Sequence, residues 1–325
     1  MFKNAYHNIS KQYIWLTAGL LFALFWASAA TATKIGLFAA QPLVIAVVRF
    51  GIAGSLMLMV AHLVRGYRLP AKKEWTQLTI YGFLNITVYL GLYVIAMQQV
   101  TAGVSALTIA INPVFISFLS LIFLKQKISR NVLLAIVIGI AGIVCAAWPM
   151  FRHATVTRGG LLLLLFSMLS YSAGAVYFAA NKWNDLHLLT INGWQTLIGG
   201  SLLVPFSLFY YKGTQNHFNT TFWSAVLWLA VPVSIVAVQL WLWLLKTNTI
   251  KAGLWLFLCP VFGFAIAAWM MNDVISWFTI AGLFLVMLAL FLSQKEEKNE
   301  NSIAFFVAVA CYCHRTIVGC KNLFG

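Results

Sequence analysis

The sequence predicts an all-α polytopic membrane protein with ten transmembrane helices, arranged as two inverted five-helix repeats. Three observations support this fold class. The 325 residues are 62% hydrophobic and only 8% charged, and repeated apolar runs of about 20 residues are typical of membrane helices. Basic residues concentrate in alternate connections, as expected for a membrane protein with a fixed orientation. Short motifs recur at a constant spacing in the two halves of the chain.

The apolar runs predict helices over 13–33, 42–64, 76–98, 102–124, 131–149, 160–180, 187–210, 222–245, 251–271 and 275–292. Lys3 and Lys11 precede the first run and Ala27-Ser28-Ala29 ends its most apolar part, an order that resembles a cleavable signal peptide. The apolar character continues to Thr33, which is long enough to span, so we expect an uncleaved first helix. The connections are short and leave no room for a separate soluble domain.

The distribution of basic residues predicts the orientation. With the N-terminus inside, the inner segments carry 14 Lys or Arg residues and the outer segments carry four, Lys34, Arg152, Arg158 and Lys212. This bias places both termini in the cytoplasm and favours an even number of spans in the plasma (bacterial inner) membrane. A net charge of +15 could also indicate nucleic-acid binding, but the bases are strung singly along short connections. We interpret them as topology signals, with the lipid bilayer as partner and no nucleic acid.

The two halves of the chain repeat. Asn112-Pro113-Val114-Phe115 recurs 147 residues later as Cys259-Pro260-Val261-Phe262, and Gly54-Ser55-Leu56 matches Gly200-Ser201-Leu202 at nearly the same spacing. We divide the chain into a first repeat at 12–149, a second at 158–294, and a cytoplasmic tail at 295–325 that we expect to be disordered. Because each repeat has an odd number of helices, the second enters the membrane inverted. Inverted repeats are the architecture of secondary transporters, with the binding site near the midplane.

Several function classes lack the residues they need. The sequence contains no glycine-rich phosphate loop, no H-E-x-x-H and no G-x-S-x-G, which argues against ATP-driven transport and against catalysis by this chain. All six acidic residues lie outside the predicted spans, so a proton or sodium relay through Asp or Glu has no candidate. The cysteines form no metal-binding pattern. We expect no enzyme, metal or cofactor; facilitated efflux or exchange fits best, with a proton route through water or bound substrate left open.

Arg49 is a basic residue inside a predicted span, about 10 Å along the helix from Pro42. One interpretation is a bidentate donor for a substrate carboxylate or phosphate. The other is an arginine that snorkels outward or bonds helix-end carbonyls. The repeat places Gln195 near the equivalent position of the second half. Lys34, at the end of the first helix, is either interfacial or attracts anions to an outer vestibule.

Other candidates for substrate contact are polar or aromatic residues deep in the predicted spans. They are Asn85, Tyr89, Asn112, Gln239, Trp26 and Trp194. Asn85 and Tyr89 are four residues apart and therefore share a helix face. The alternative for the amides is helix-to-helix hydrogen bonding, and for the tryptophans it is packing against lipid. Pro113 and Pro260 are candidate hinges, because a proline lets a helix bend and both repeats carry one.

Five short motifs follow one another along the first half of the chain: Trp26-Ala27-Ser28, Val48-Arg49-Phe50, Ala102-Gly103-Val104-Ser105-Ala106, Asn112-Pro113-Val114-Phe115 and Gly139-Ile140-Ala141-Gly142. In this order, and with the five-plus-five repeat, the chain resembles the EamA family of the drug/metabolite transporter superfamily. The resemblance implies a ten-helix bundle around a central cavity that transports small metabolites such as amino acids, often outward. Family members often carry an acidic residue after the fourth and ninth helices, whereas this chain has Gln126 and Asp273 at those places.

We therefore expect a secondary transporter, with a small organic molecule as substrate and alternating access as mechanism. Two alternatives stay open at this stage: a nucleotide-sugar or phosphorylated-metabolite exchanger, and a membrane scaffold without transport. The exchanger would need several converging cations, whereas Arg49 is the one buried cation that the sequence predicts. Stripes of small residues on the first and fifth predicted helices favour close helix packing, within the chain or in a homodimer.

Overall fold

The protein is all-helical in the residues that its computed structural model describes, which are 2–100, 105, 108–126, 128–151, 157–271 and 277–294. Within these ranges there is no β-strand. Five helices are long and apolar enough to cross a membrane: Tyr13–Leu37, Pro42–Val64, Lys72–Ala96, Arg158–Ala180 and Thr220–Thr247. The predicted all-helical membrane fold is confirmed at this level. The predicted tail 295–325, Asp273 and the beginning of the predicted fourth helix lie outside the described residues.

The helices are numbered here in chain order. They are α1 (Phe2–Leu37), α2 (Pro42–Val64), α3 (Lys72–Ala96), α4 (Asn112–Phe123), α5 (Arg130–Phe151), α6 (Arg158–Ala180), α7 (Leu188–Phe209), α8 (Thr220–Thr247), α9 (Thr249–Leu254, the 3-10 turn Trp255–Phe257 and Leu258–Met271) and α10 (Trp277–Gln294). Shorter apolar helical segments of 10–17 residues, Asn112–Phe123, Arg130–Gly142, Thr249–Gly263 and Ile280–Ala289, lie within α4, α5, α9 and α10.

Polar caps explain where several helices begin. The Thr157 hydroxyl accepts a hydrogen bond from the Gly160 amide at 3.0 Å, and the Asn219 side chain accepts one from Phe222 at 3.0 Å. The helix α3 begins at Lys72, four residues before the predicted position. The reason is Glu74, whose carboxylate accepts the Ala71 amide at 2.7 Å and so stabilises a polar first turn that hydropathy does not detect.

Helices at the same position in the two halves are irregular at corresponding places. Wider π-helical turns occupy Phe83–Val88 of α3 and Leu229–Ala237 of α8. In α8 the segment contains Pro232, which lacks the amide that a regular helix needs. The predicted ninth helix is interrupted by the turn Trp255–Phe257, and Pro260 follows it closely. Pro113 likewise stands directly after a turn at the beginning of α4. Both prolines thus lie close to a helix break, and their role as hinges stays a prediction.

Helices related by the repeat pack antiparallel. Contacts along α2 and α7 pair Phe50 with Gly200, Gly54 with Leu197 and Leu58 with Gly193. Contacts along α5 and α10 pair Gly142 with Leu285 and Cys145 with Phe278. In both pairs the residue number rises along one helix while it falls along its partner. Antiparallel packing of corresponding helices is what an inverted repeat requires.

The remaining helix contacts follow the same symmetry: a contact made by a helix of one half has a counterpart made by the corresponding helix of the other half. The helix α1 packs against α8 and α9, and its counterpart α6 packs against α3 and α4. The helix α3 packs against α7, as α8 packs against α2. The chain therefore forms a single bundle in which each half completes the other, and the interior between them is shared.

Two loop pairs clasp the bundle at opposite ends of the α2–α7 pair. At one end, Arg68 of the 65–71 loop forms an ion pair with Glu74 at 2.7 Å and donates to the Asn184 carbonyl of the 181–187 loop. We name these contacts the inner clasp, because the distribution of basic residues predicts that this end faces the cytoplasm. At the other end, the Gln41 side chain donates to the Tyr210 carbonyl at 2.9 Å and accepts from the Asn216 amide at 2.9 Å. Each clasp joins a loop of the first repeat to a loop of the second.

His187 gives the inner clasp a pH dependence. Its Nδ1 accepts a hydrogen bond from the Leu189 amide at 3.1 Å, and its ring stacks on Tyr67 at a centroid distance of 4.0 Å. Burial, together with the positive charges of Lys246 and Arg65, holds the pKa of His187 below its ordinary value of 6.5. The unfolded chain therefore takes up this proton more readily than the folded protein. The stability that neutral His187 contributes is complete above about pH 6.5 and is lost as the pH falls below that value.

We expect the melting temperature of the wild-type protein to fall between about pH 7.5 and 5.5 relative to that of a His187→Asn variant. Asparagine keeps an acceptor at the beginning of α7 and does not titrate. The measurement is thermal unfolding of both proteins in the same detergent across this pH range. The effect is modest, because the side chain is exposed. Parallel curves for the two proteins would contradict the assignment.

Candidate functional site

Arg49 lies inside the bundle and not at its surface. Its side chain is 3% exposed, and its Nε donates a hydrogen bond to the Ser234 hydroxyl of α8 at 2.8 Å. In the described part of the chain the one ion pair joins Arg68 and Glu74, so Arg49 has no carboxylate partner there. Its two terminal nitrogens have no hydrogen-bond acceptor among the described residues. A buried guanidinium without a counter-ion is costly, and its burial argues against outward snorkelling.

A chain of buried hydrogen bonds extends from Arg49 to the first repeat's third helix. The Ser234 carbonyl accepts from Asn192 at 3.1 Å, Asn192 Oδ1 accepts from Gln195 at 3.0 Å, and Gln195 Oε1 accepts from Asn85 at 3.1 Å. All of these side chains are buried. The structure therefore brings together three of the predicted residues, Arg49, Gln195 and Asn85. We name Arg49, Ser234, Asn192, Gln195 and Asn85 the polar network.

The polar network reflects the repeat. Arg49 of α2 contacts Ser234 in the π-helical turn of α8, and Gln195 of α7 contacts Asn85 in the π-helical turn of α3. Arg49 and Gln195, predicted as equivalent positions, thus each contact the irregular helix of the other half. π-Helical turns occur frequently at functional sites, because they shift side chains out of the regular helical pattern.

Six buried aromatic side chains pack against one another, and we name them the aromatic cluster. They are Phe22, Trp26, Tyr89, Tyr93, Tyr171 and Trp241. Trp26 stacks on Tyr89 with an interplanar angle of 16°, and Tyr171 stacks on Trp241 at 20°. Tyr89 follows Asn85 of the polar network by four residues on α3, about one helical turn away. The predicted residues Trp26 and Tyr89 therefore belong to one cluster that adjoins the polar network.

Two polar atoms of the aromatic cluster have no partner. The Tyr171 hydroxyl and the Trp241 indole nitrogen are buried, and neither has a hydrogen-bond partner among the described residues. The Tyr93 hydroxyl, in contrast, is bonded to Ser105 at 2.9 Å. Buried polar groups are normally satisfied, so an unpartnered donor invites an explanation such as a ligand.

Four predicted residues lie away from these contacts. Asn112 bonds Ser172 at 3.1 Å and the Met168 sulfur at 3.2 Å, which ties α4 to α6. Trp194 donates to His62 at 3.0 Å and packs edge-on against Trp75, towards the inner clasp. Lys34 donates to the Met97 carbonyl at the end of α3. Gln239 has a buried and unpartnered Oε1. Roles of these four in substrate contact stay predictions.

Several residues of the site carry no strong signal in the sequence. Ser234, Tyr171 and Trp241 stand in apolar runs where serine and aromatic residues are common. The signal for Ser234 is Pro232 two residues before it, which predicts an irregular helix. Among the described residues, no group of three His, Cys, Asp or Glu could hold a metal ion.

Comparison with known proteins decides the family. The sequence model of the EamA-like transporter family matches residues 13–148 and, a second time, residues 158–294. The chain belongs to the EamA-like transporter family. The predicted resemblance is thereby confirmed, and the two matches follow the internal repeat.

Several proteins are similar to this chain over about half of its length or more. Protein PecM of Dickeya dadantii is 26% identical over 83% of this chain and 88% of its own length. The uncharacterized transporter YvbV of Bacillus subtilis is 25% identical over 84% of this chain and 88% of its own length. The uncharacterized inner membrane transporter YedA of Escherichia coli K12 is 32% identical over 49% of this chain and 52% of its own length. Several EamA relatives are thus named as membrane transporters.

A solved crystal structure has the same fold. It superposes with a TM-score of 0.71 over 87% of this chain and 98% of that chain, at 17% sequence identity. At this identity the likeness concerns the arrangement of helices alone. Together with the family match, this shows the chain to be an all-helical, multi-pass protein of a membrane transporter family.

Proposed function

We propose that this protein is a secondary transporter that moves small organic metabolites across the plasma membrane, outward, by alternating access. Amino acids are among the candidate substrates, on the strength of the family resemblance. In this proposal ten helices span the bilayer as two inverted repeats with both termini in the cytoplasm. The observation that carries the proposal is Arg49, a buried guanidinium with free terminal nitrogens at the junction of the two repeats.

Arg49 would bind the polar end of the substrate, and the aromatic cluster would contact its apolar part. A carboxylate fits the two terminal guanidinium nitrogens with paired hydrogen bonds. Gln195 and Asn85 hold the opposite side of the polar network, so a substrate bound to Arg49 would contact both repeats. Such a position allows binding to influence how the two halves sit against each other.

The motion would be carried by the irregular helices. The π-helical turns of α3 and α8 and the breaks beside Pro113 and Pro260 fall on α3, α4, α8 and α9. Following the family resemblance, we assign the outer gate to these four helices. The antiparallel α2–α7 pair, clasped at both ends, would stay fixed while the gate opens.

Flux into proteoliposomes tests the proposal. Purified protein is reconstituted, and counterflow is measured for radiolabelled carboxylates, amino acids, nucleotide sugars and phosphorylated metabolites, with protein-free liposomes as blank. Flux of carboxylates or amino acids that disappears in Arg49→Gln supports the proposal. Flux limited to phosphorylated compounds would favour an exchanger instead. Folded protein that moves none of these compounds would favour a scaffold and overturn the proposal.

A further inference from the structure

The charge around Arg49 is unbalanced in the part of the chain that the structure describes. The acidic residues in the described part of the chain are Glu74, which is paired with Arg68, and Asp185, which lies in the 181–187 loop. Neither is an ion-pair partner of Arg49. A monocarboxylate bound to Arg49 would bring the net charge of the site to zero. A zwitterionic amino acid would leave one positive charge, and an amine would make two. Uncompensated charge is costly in a low-dielectric interior.

The unpartnered donors of Arg49 and the aromatic cluster favour the same ligand. The terminal nitrogens of Arg49 and the indole nitrogen of Trp241 can only donate, and the Tyr171 hydroxyl is also free to donate. Carboxylate and keto oxygens accept hydrogen bonds and would satisfy these donors. An ammonium group is itself a donor, and placing it beside Arg49 would add repulsion between two cations.

The rings define the apolar part of the ligand. Phe22 and Trp241 are stacked with an interplanar angle of 19°, and the pairs Trp26–Tyr89 and Tyr171–Trp241 are nearly parallel as well. These flat faces come from α1, α3, α6 and α8, so they belong to both repeats. Planar rings stack on such faces with an energy beyond that of burial alone.

We propose that this site takes an aromatic monocarboxylate without an ammonium group, in preference to the amino acid with the same skeleton. The inference rests on the proposed function and narrows its substrate class. Arg49 binds the carboxylate, the unpartnered Tyr171 hydroxyl and Trp241 indole nitrogen supply further hydrogen bonds to the same two oxygens, and the aromatic cluster contacts the aromatic group.

Binding of three compounds with one skeleton and different charges tests the inference. They are 3-phenylpropanoate, phenylalanine and 2-phenylethylamine, titrated calorimetrically into the full-length protein in detergent. We expect 3-phenylpropanoate to bind at least roughly tenfold more tightly than phenylalanine, and the amine to bind more weakly than both. Phenylalanine binding as tightly as 3-phenylpropanoate, or more tightly, would overturn the inference.

Variants separate charge from shape. Arg49→Gln should bring the affinities for 3-phenylpropanoate and phenylalanine close together, whereas Arg158→Gln, which alters an exposed arginine at the beginning of α6, should leave the tenfold preference intact. Tyr171→Phe removes a hydroxyl that has no partner, so it should weaken acid binding without lowering the melting temperature. An Arg49→Gln variant that keeps the wild-type preference would overturn the inference.

Flux separates failure of this inference from failure of the proposed function. Proteoliposomes that carry phenylalanine but exclude 3-phenylpropanoate would leave the transporter proposal standing and overturn the substrate class. Proteoliposomes that carry 3-phenylpropanoate in preference to phenylalanine would support both. Absence of flux for every compound of the wider panel would overturn both.

Discussion

Arg49→Met should keep the protein folded, with a melting temperature at or above that of the wild type, and should abolish carboxylate transport. Methionine fills a similar length with apolar atoms and removes a buried charge that has no described counter-ion. Loss of one partner of a buried, hydrogen-bonded charge pair costs about 2–5 kcal/mol in binding. The affinity for a carboxylate should therefore fall by at least about 30-fold. Thermal unfolding and ligand titration on the same preparation measure both effects.

Arg158→Met is the matched control for this experiment. Arg158 is exposed at the beginning of α6, so the same chemical change there should alter neither binding nor stability appreciably. If Arg49→Met unfolds the protein while Arg158→Met does not, the guanidinium is a structural group that holds α2 against α8. Normal transport by a folded Arg49→Met protein would remove Arg49 from the binding site altogether.

Gly199→Leu should destabilise the protein by about 3 kcal/mol or more. The backbones of α3 and α7 touch at this point, where a side chain on Gly199 would meet the Gly82 carbonyl at 2.5 Å and the Ile86 Cβ at 2.6 Å. Backbone atoms cannot rotate away as a flexible side chain can, so the two helices must separate. Separation would also pull Gln195 away from Asn85. The measurement is thermal or denaturant unfolding, with recovery of monodisperse protein as a second reading.

Gly51→Leu provides the matched control. Gly51 lies on α2, and a Cβ atom added there would meet nothing within 4 Å. Leucine also favours the helix more than glycine does, by up to about 1 kcal/mol in an exposed position. We expect a stability equal to or above that of the wild type. Equal losses in the two variants would mean that glycine is needed for the membrane helices in general and not for the α3–α7 contact.

The fold was predictable where it depends on apolar periodicity and on spacing. Helix positions, the repeat and the family resemblance follow from apolar runs, loop chemistry and recurring motifs, and the family match confirms the last of these. The early beginning of α3 and the break in α9 were not predictable from hydropathy. They depend on Glu74 closing a polar turn and on a local departure from regular hydrogen bonding.

The site was predictable where a polar residue stands out in an apolar run. Arg49, Gln195 and Asn85 were identified in this way, and the structure joins them through Asn192 and Ser234. Tyr171 and Trp241 were not identified from the sequence, because an aromatic residue in a membrane helix can equally well pack against lipid. Only the contacts between helices distinguish a ring that packs inside a buried cluster, as these two do, from one that faces acyl chains.

The amino-acid sequence alone determined that this chain is a helical membrane protein with an internal repeat and with one arginine, Arg49, inside a predicted span. Burial of apolar surface and helix periodicity are local properties, so they can be read from neighbouring residues. Tertiary structure decided which residues meet that arginine, because Ser234 lies 185 positions away from it in the chain. Packing of α2 against α8 brings Arg49 and Ser234 together, and the neighbouring α2–α7 contact depends on Gly54, which lies against the Leu197 backbone.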